Sequence, residues 1–508
     1  MSNSYFISTA IPYVNGAPHI GHALEYIETD AMARYQRLKG ADVYFLSGSD
    51  ENSLKNVQAA EAAGITVKEL VDKNSRLFYN FGELLNISFN GFIRTTEKRH
   101  FEGAQKLWSL CKKEDIYKKK YRGLYCVGCE AYYTEDELDN GLCPEHRKAP
   151  EVVEEENYFF ALSNYEKELE ELVASDTLKI IPGFRKNEVL GFIRNGLEDF
   201  SISRDHKRAH GWGVPVPGDP SQIMYVWVDA LSNYITGLDF ATEGELYRRY
   251  WLQPDNSKRQ VVHVIGKGIL RFHAIYWIAL LLSAGVPLPT QEFIHGYITL
   301  EGEKMAKSTG NVLNPVELVE KFGVDPVRYF FLGAVSSYHD GDFSEERFIN
   351  VYNSELANGV GNLFSRTLAM AEKYCSGAVP ERSEDPFNTS AFWENYTEKM
   401  EAFDFQGAVR EISSLVSACD LKISQEKPWA MVKEGKDPST LLYSILETMR
   451  HIALALLPVI PESAEKLLGQ LNINPVSLSA LDQEQPWGKL EPGTKVTKGS
   501  AIFPKLQA

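Results

Sequence analysis

The chain has 508 residues, six cysteines and a formal charge of −16 at neutral pH. That length requires two to four domains, each burying its own apolar core, and 44% hydrophobic with 24% charged residues excludes a disordered, collagenous or coiled-coil chain. The acidic balance argues against indiscriminate coating of nucleic acid but leaves room for a local basic face at Lys118-Lys119-Lys120-Tyr121-Arg122. The longest apolar run, Ala274 to Leu282, is too short to span a bilayer and reads as a buried helix. With no basic or apolar leader at the N-terminus, the expectation is a cytoplasmic chain without a membrane anchor.

Tyr5 to Ala10 is β-prone, and from Ala23 apolar residues recur at helical spacing until Gly40. Between them Ala10-Ile-Pro-Tyr-Val-Asn-Gly-Ala-Pro-His19-Ile-Gly-His22 reads as a loop opening a helix. His19 and His22 stand three apart on the first helical turn, where unpaired N–H groups and the helix dipole favour an anion such as a phosphate. Two surface histidines capping a helix would look the same. The apolar strand Val43–Leu46 runs into Ser47-Gly48-Ser49-Asp50, which places Asp50 either at a ligand crevice or at the cap of the next helix.

Between residues 113 and 223 the periodicity breaks down, and Cys126-Val-Gly-Cys129 is followed by Cys143-Pro-Glu-His146. Two close pairs of soft ligands suit tetrahedral zinc with no open position for water, which predicts a structural knuckle. Disulfides are the competing reading. Cys111, Cys375 and Cys419 are scattered and read as core residues. The α/β pattern resumes at Met224 to Tyr234 and runs through Val261–Ile269 into the helix carrying His273, so the expected architecture is a doubly wound parallel sheet split by an insertion. Ile294 to Leu300 reads as one strand. After it comes the polar loop Glu301-Gly-Glu-Lys304-Met-Ala-Lys307-Ser308, whose flexible ammonium groups suit a polyphosphate, and Asn314-Pro315 starts a new helix. From 351 to 470 the pattern is helical, with one stripe from Phe405 to Cys419 and another from Leu441 to Leu456. Trp429 in this bundle is either a core plug or a base-stacking platform.

A His-Ile-Gly-His turn after the first strand and a Lys-Met-Ala-Lys-Ser loop after the last resemble the class I aminoacyl-tRNA synthetases, and the order of the remaining parts is similar to the methionyl branch. The resemblance implies a Rossmann-type sheet in two halves (1–112 and 224–298), a zinc-knuckle insertion (113–223), a stem-contact region (299–350) and an all-α anticodon-binding bundle (351–508). It implies ATP-dependent ligation of L-methionine to tRNA(Met) through methionyl-adenylate, with Mg²⁺ accompanying ATP and one structural Zn²⁺ on Cys126, Cys129, Cys143 and His146. His19, His22, Lys304 and Lys307 would serve the phosphates, with Gly21, Glu25, Gly266 and Ser308 completing the ATP site. Ala10, Ile11, Tyr13, Asp50, Trp227, Ala230, Leu231, Tyr234, Ile269 and His273 would hold methionine, and Asn362, Arg366 and Trp429 the anticodon. Departures from the family pattern are Ala306 for Ser, Gly268 for Asp, and Asn52-Ser53 for a His-Gly pair. A monomer is expected, since the chain stops before any appended module. A class I ligase for cysteine and a catalytically silent tRNA-binding paralogue are the alternatives.

Overall fold

The computed structural model describes residues 3–506 apart from 127, 129–130, 134, 145–146, 253–258, 301–302 and 305–313. The chain divides into two compact units: residues 1–18, 42–83 and 88–294 form one, and residues 19–41, 84–87 and 295–508 the other. Among the described residues no helix is long and apolar enough to cross a membrane.

The strands in chain order are β1 (Ser4–Thr9), β2 (Asp42–Ser49), β3 (Gly91–Arg94), β4 (Ile116–Cys126), β5 (Ala131–Tyr133), β6 (Glu151–Phe160), β7 (Lys179–Ile181) and β8 (Phe200–Ser201). They continue as β9 (Ser203–Asp205), β10 (Pro215–Val216), β11 (Asp219–Met224), β12 (Arg259–Gly266), β13 (Gln291–His295), β14 (Ile298–Leu300), β15 (Glu303–Lys304) and β16 (Gly341–Phe343). The first unit is built on a six-stranded sheet of order β3-β2-β1-β12-β13-β7. β1 pairs in parallel with both β2 and β12, as do β2 with β3 and β13 with β7. Every residue of β1 is buried, the pattern of a central parallel strand covered on both faces. The edge strand β7 comes from within the 113–223 stretch, so that stretch supplies part of the main sheet as well as the four-stranded sheet β5-β4-β6-β8. On this second sheet the basic run is largely offset by acidic neighbours: β4 lies antiparallel to β6 with Lys120, Tyr121 and Arg122 opposite Glu156, Glu155 and Glu154, and Lys118 pairs with Asp219 at 2.7 Å.

The expected single strand from Ile294 to Leu300 is two strands. At Gly296 an added Cβ would stand 2.3 Å from the His339 carbonyl, so the chain bends in close contact there and β14 pairs with β16 instead. The apolar run after His273 is helical as expected, but its first turn and a half, Phe272–Trp277, is a π segment before the α-helix Ile278–Ala284. Asn314 caps the helix Pro315–Phe322 by accepting from the Val316 N–H at 3.0 Å.

In the second unit both predicted stripes are buried, on the helices Phe405–Glu426 and Ser439–Leu456. Cys111 and Cys419 are core residues, whereas Cys375 is only half-buried. The helix Ile20–Leu38 belongs to this unit and is pinned at mid-length. Arg328 and Asp30, both fully buried, meet at 2.7 Å, and Arg328 also donates to the carbonyls of Val459, Pro458 and Leu85. Arg34 supplies Asp30 with a second cation at 2.6 Å. Removing Arg328 leaves the buried Asp30 with Arg34 alone and three buried carbonyls without their donor, so Arg328→Met is expected to lower stability by about 3 kcal/mol in urea unfolding of the full chain. A double-mutant cycle with Asp30→Asn should return a coupling above about 1 kcal/mol; additive losses would show that the pair contributes no more than packing.

Candidate active site

The His19 turn is organised by backbone satisfaction. His19 is the extended N-cap of the helix Ile20–Leu38, and its Nδ1 accepts from the Gly21 N–H at 3.1 Å. In return the His19 N–H donates to His22 Nδ1 at 3.1 Å, and the two rings stack 3.7 Å apart. Each Nδ1 is thus an acceptor, which puts the proton of either neutral imidazole on Nε2 and makes that edge the donor. The histidines do cap the helix, and the capping fixes their tautomer. Gly21 makes room for a neighbour inside the turn: a Cβ there would lie 3.1 Å from the His19 ring.

Two turns along the same helix stand Glu25 and Glu28. Glu25 Oε2 lies 3.0 Å from His295 Nε2, while His295 Nδ1 lies 2.8 Å from the Gly296 carbonyl. Both ring nitrogens therefore face oxygens that accept, and His295 is held as an imidazolium. The Glu25 carboxylate outweighs burial and raises its pKa to about 9. Glu28 is fully buried, and its Oε2 has no hydrogen-bond partner among the described residues. Burial raises its pKa to about 8, opposed by His295 and aided by Glu25, so it is a neutral acid at pH 7. Neither His295 nor Glu28 was picked out from sequence, because the pairing joins residues 270 apart and only the i, i+3 spacing of the two glutamates hints at it. Lys304 pairs through its backbone with Thr299 in the β14–β15 hairpin. Lys307 and Ser308, with Ala306, lie outside the described residues, and so does the Lys304 side chain.

In the first unit, Asp50 follows β2 and is 3% exposed. Its N–H donates to the Pro12 carbonyl at 2.9 Å, its carbonyl accepts from Val14 N–H and Asn56 Nδ2, and it bridges Tyr13 in parallel fashion. The next helix, Leu54–Ala63, is capped by Ser53, which removes the capping reading of Asp50. Gly48 lets Ile11 approach: a Cβ there would sit 2.9 Å from Ile11 Cγ2 and 2.3 Å from the Ile93 carbonyl. Trp227 lies in the helix Val226–Leu231, stacked on Phe272 at 3.8 Å and edge-on to Tyr13 at 6.4 Å. Its indole Nε1 is buried without a partner among the described residues. Trp227, Leu231 and Tyr234 belong to one core cluster against which Ala10, Ile11, Tyr13 and Ile269 pack; Ala230 is buried beside them in sequence.

Tyr234 and His273 form the polar edge of this wall, with the hydroxyl 2.7 Å from His273 Nε2. His273 Nδ1 lies 2.9 Å from the Ile269 carbonyl, so the ring proton is on Nδ1 and the tyrosine donates to Nε2. Burial lowers the His273 pKa to about 4, so this ring is neutral at every physiological pH. Gly266 is buried at the end of β12, and Gly268 is exposed.

Of the four predicted metal ligands, Cys126 at the end of β4 and Cys143 are buried, while Cys129 and His146 lie outside the described residues. Among the described residues no group of three metal-ligating side chains converges. In the second unit, Asn362 and Arg366 stand one turn apart on the helix Asn362–Tyr374. The Arg366 guanidinium sits 5.0 Å over the Trp429 ring and 4.0 Å from Asp420. Trp429 is 38% exposed, which excludes the core-plug reading.

The Glu25–His295 pair has a pH signature. A histidine raised from 6.5 to about 9 binds its proton more tightly in the folded state, so its contribution is complete below pH 6.5 and is lost as pH rises through 9. Urea midpoints measured from pH 6 to 9.5 should therefore fall more steeply for the wild-type chain than for His295→Gln; parallel curves would exclude the imidazolium.

Comparison with known proteins gives a consistent answer. The chain matches the family described as tRNA synthetases class I (M) over residues 5–149 and 137–368, and the anticodon binding domain of methionyl tRNA ligase over residues 386–508. It is 44% identical to the methionine--tRNA ligase of Brucella suis, covering 92% of both chains, and 44% identical to that of Rhizobium meliloti, covering 100% of this chain and 99% of the relative. The Mycobacterium tuberculosis methionyl-tRNA synthetase in complex with methionyl-adenylate superposes with a TM-score of 0.91 at 40% identity, covering 99% of this chain and 100% of that one. With two family matches spanning most of the sequence and relatives aligned along nearly all of it, the chain belongs to the methionyl-tRNA synthetases of class I.

Proposed function

We propose that the chain ligates L-methionine to tRNA(Met) in two steps, with ATP as the energy source. In the first, a methionine carboxylate oxygen attacks the α-phosphorus of ATP and pyrophosphate leaves. In the second, a ribose hydroxyl at the tRNA 3′ end attacks the adenylate carbonyl, its proton is lost to solvent or phosphate, and AMP leaves. The supporting observation is the match along essentially the whole chain to an enzyme solved with methionyl-adenylate.

No general base is needed in the first step, because the nucleophile is a carboxylate already ionised at neutral pH; positioning and charge stabilisation carry the rate. His19 and His22 fit this as neutral donors through Nε2 at a helix N-terminus, aimed at phosphate oxygens as charge builds there. Lys304 and Lys307 neutralise the departing pyrophosphate with Mg²⁺, and Gly21, Glu25, Gly266 and Ser308 complete the nucleotide contacts. Asp50 takes the methionine ammonium. Ala10, Ile11, Tyr13, Trp227, Ala230, Leu231, Ile269 and the neutral Tyr234–His273 pair take the thioether side chain, and an uncharged polar edge suits a soft, weakly accepting sulfur. Asn362, Arg366 and Trp429 read the anticodon through stacking and hydrogen bonding.

Cys126, Cys129, Cys143 and His146 hold a structural zinc in this reading. The two described members fit, as buried cysteines of the soft donor type that zinc prefers. The metal would tie the knuckle's turns together and take no part in ligation. The chain works as a cytoplasmic monomer.

Pyrophosphate exchange with ATP, Mg²⁺ and each amino acid in turn tests the proposal. Exchange is expected with methionine and to fall at least a hundredfold in Lys304→Ala and in Asp50→Ala, with the methionine KM raised in the second. Exchange with cysteine alone would favour the cysteine ligase, and tRNA binding without any exchange would favour the silent paralogue. Metal analysis should return one zinc per chain, lost in Cys143→Ser.

A further inference from the structure

Asn52 stands two residues after Asp50, at a position where the chain departs from the family pattern. It is 7% exposed and does not belong to the substrate wall. Its Nδ2 donates to the Thr95 carbonyl at 2.9 Å and to Asp229 Oδ2 at 2.9 Å. Both of those atoms are acceptors, so the NH₂ end must lie between them and the orientation of the amide is settled. Its Oδ1 has no partner among the described residues, so the side chain is held through its donors alone.

Asp229 is 1% exposed and lies in the helix Val226–Leu231, two residues after Trp227 and one before Ala230. Its other oxygen accepts from His100 Nε2 at 2.5 Å, and His100 Nδ1 meets the Thr236 hydroxyl at 2.8 Å. His100 is fully buried on the helix Lys98–Leu110. Four buried side chains in sequence, Asn52, Asp229, His100 and Thr236, thus tie the Asp50 loop to the helix that carries the apolar wall. The Asp50 loop meets that helix through the first of these links.

We infer that Asn52 is a positioning residue for amino-acid recognition. Its hydrogen bond to Asp229 fixes the distance between the carboxylate that takes the substrate ammonium and the wall that takes the side chain, so the length of the amino acid is measured between two rigidly linked points. The inference rests on the methionine reading of Asp50 and Trp227. Deleting the donor leaves Asp229 Oδ2 buried and unpaired, and the loop or the helix must shift to relieve it. A shift of that kind weakens amino-acid binding and blurs length discrimination while leaving nucleotide handling alone. Any side chain that places an N–H at the same point would serve the same purpose.

The test compares the wild-type chain with Asn52→Leu and Asn52→His, using ATP–pyrophosphate exchange and direct methionine binding followed by tryptophan fluorescence. The substrates are methionine, the shorter S-methylcysteine and the longer ethionine. For Asn52→Leu, the methionine KM and Kd should rise about tenfold, the preference for methionine over both analogues should fall about tenfold, and the ATP KM should stay within about twofold. Asn52→His should stay within about threefold of wild type throughout. An unmoved preference in the leucine variant, an equal rise in the ATP KM, or a histidine variant as impaired as the leucine one would overturn the inference. If Asn52→Leu fails to fold, Asn52→Ser replaces it with the same expectations. Wild-type exchange with an amino acid other than methionine would sink the reading of the site itself; methionine exchange with unmoved discrimination would sink only the role of Asn52.

Discussion

The buried pair of Asp30 and Arg328 decides where the helix Ile20–Leu38 belongs. That helix follows β1 in sequence, yet it is part of the unit built from the C-terminal half of the chain. Two opposite charges, both fully removed from water, meet at 2.7 Å, and the remaining guanidinium donors are taken by three backbone carbonyls. Such a pair adds little net stability over an apolar substitute, but its carboxylate and three carbonyl acceptors must all be in place for the buried arginine to be satisfied, so the arrangement is specific. The same helix carries His19, His22 and Glu25, so its axial position is also theirs.

Four histidines of the proposed site show how partner chemistry sets protonation. His295 faces a carbonyl on one nitrogen and the Glu25 carboxylate on the other, and it is charged. His273 faces a carbonyl on one nitrogen and a hydroxyl on the other, and because the hydroxyl can donate, burial prevails and the ring is neutral. His19 and His22 each accept a backbone N–H at Nδ1, which leaves the proton of the neutral ring on Nε2. One residue type thereby supplies a cation beside Glu25 and, in the proposed reading, an uncharged edge for a thioether and two neutral donors for phosphate oxygens. Glu28 follows the same logic: burial outweighs the nearby charge of His295 and keeps its carboxyl the neutral acid.

Much of this was legible in the sequence because the signals are local. β-prone stretches marked β1 and β12, stripes at helical spacing marked Phe405–Glu426 and Ser439–Leu456, and Asn314-Pro315 marked a helix start. Periodicity failed where a distant backbone intervened. The strand through Gly296 breaks because the His339 backbone fills the space of a side chain, and β7 joins the main sheet from inside a stretch whose own pattern is irregular. The supporting contacts of the site were the least legible part. Asn52 with Asp229, and Glu25 with His295, join residues 177 and 270 apart, and spacing rules reach only the next turn or the next strand. The surroundings of the basic run Lys118 to Arg122 were hidden for the same reason: the acidic strand opposite it is invisible to a local reading.

That largely offset patch bears on how a chain of charge −16 meets RNA. A polyanion is held either by many solvated cations, whose effect salt erodes, or by a few contacts that combine charge with stacking. The first route is weakened on β4, where Lys120 and Arg122 face glutamates and Lys118 pairs with Asp219. The second is present at Arg366, whose guanidinium lies over an exposed Trp429 ring while Asp420 stands 4.0 Å away. Asp420 limits the free positive charge, so what the surface offers is an oriented aromatic and a planar donor array. In the proposed reading those take an unstacked base by its face and edge, which is the selectivity a ligase requires of the segment that identifies its tRNA.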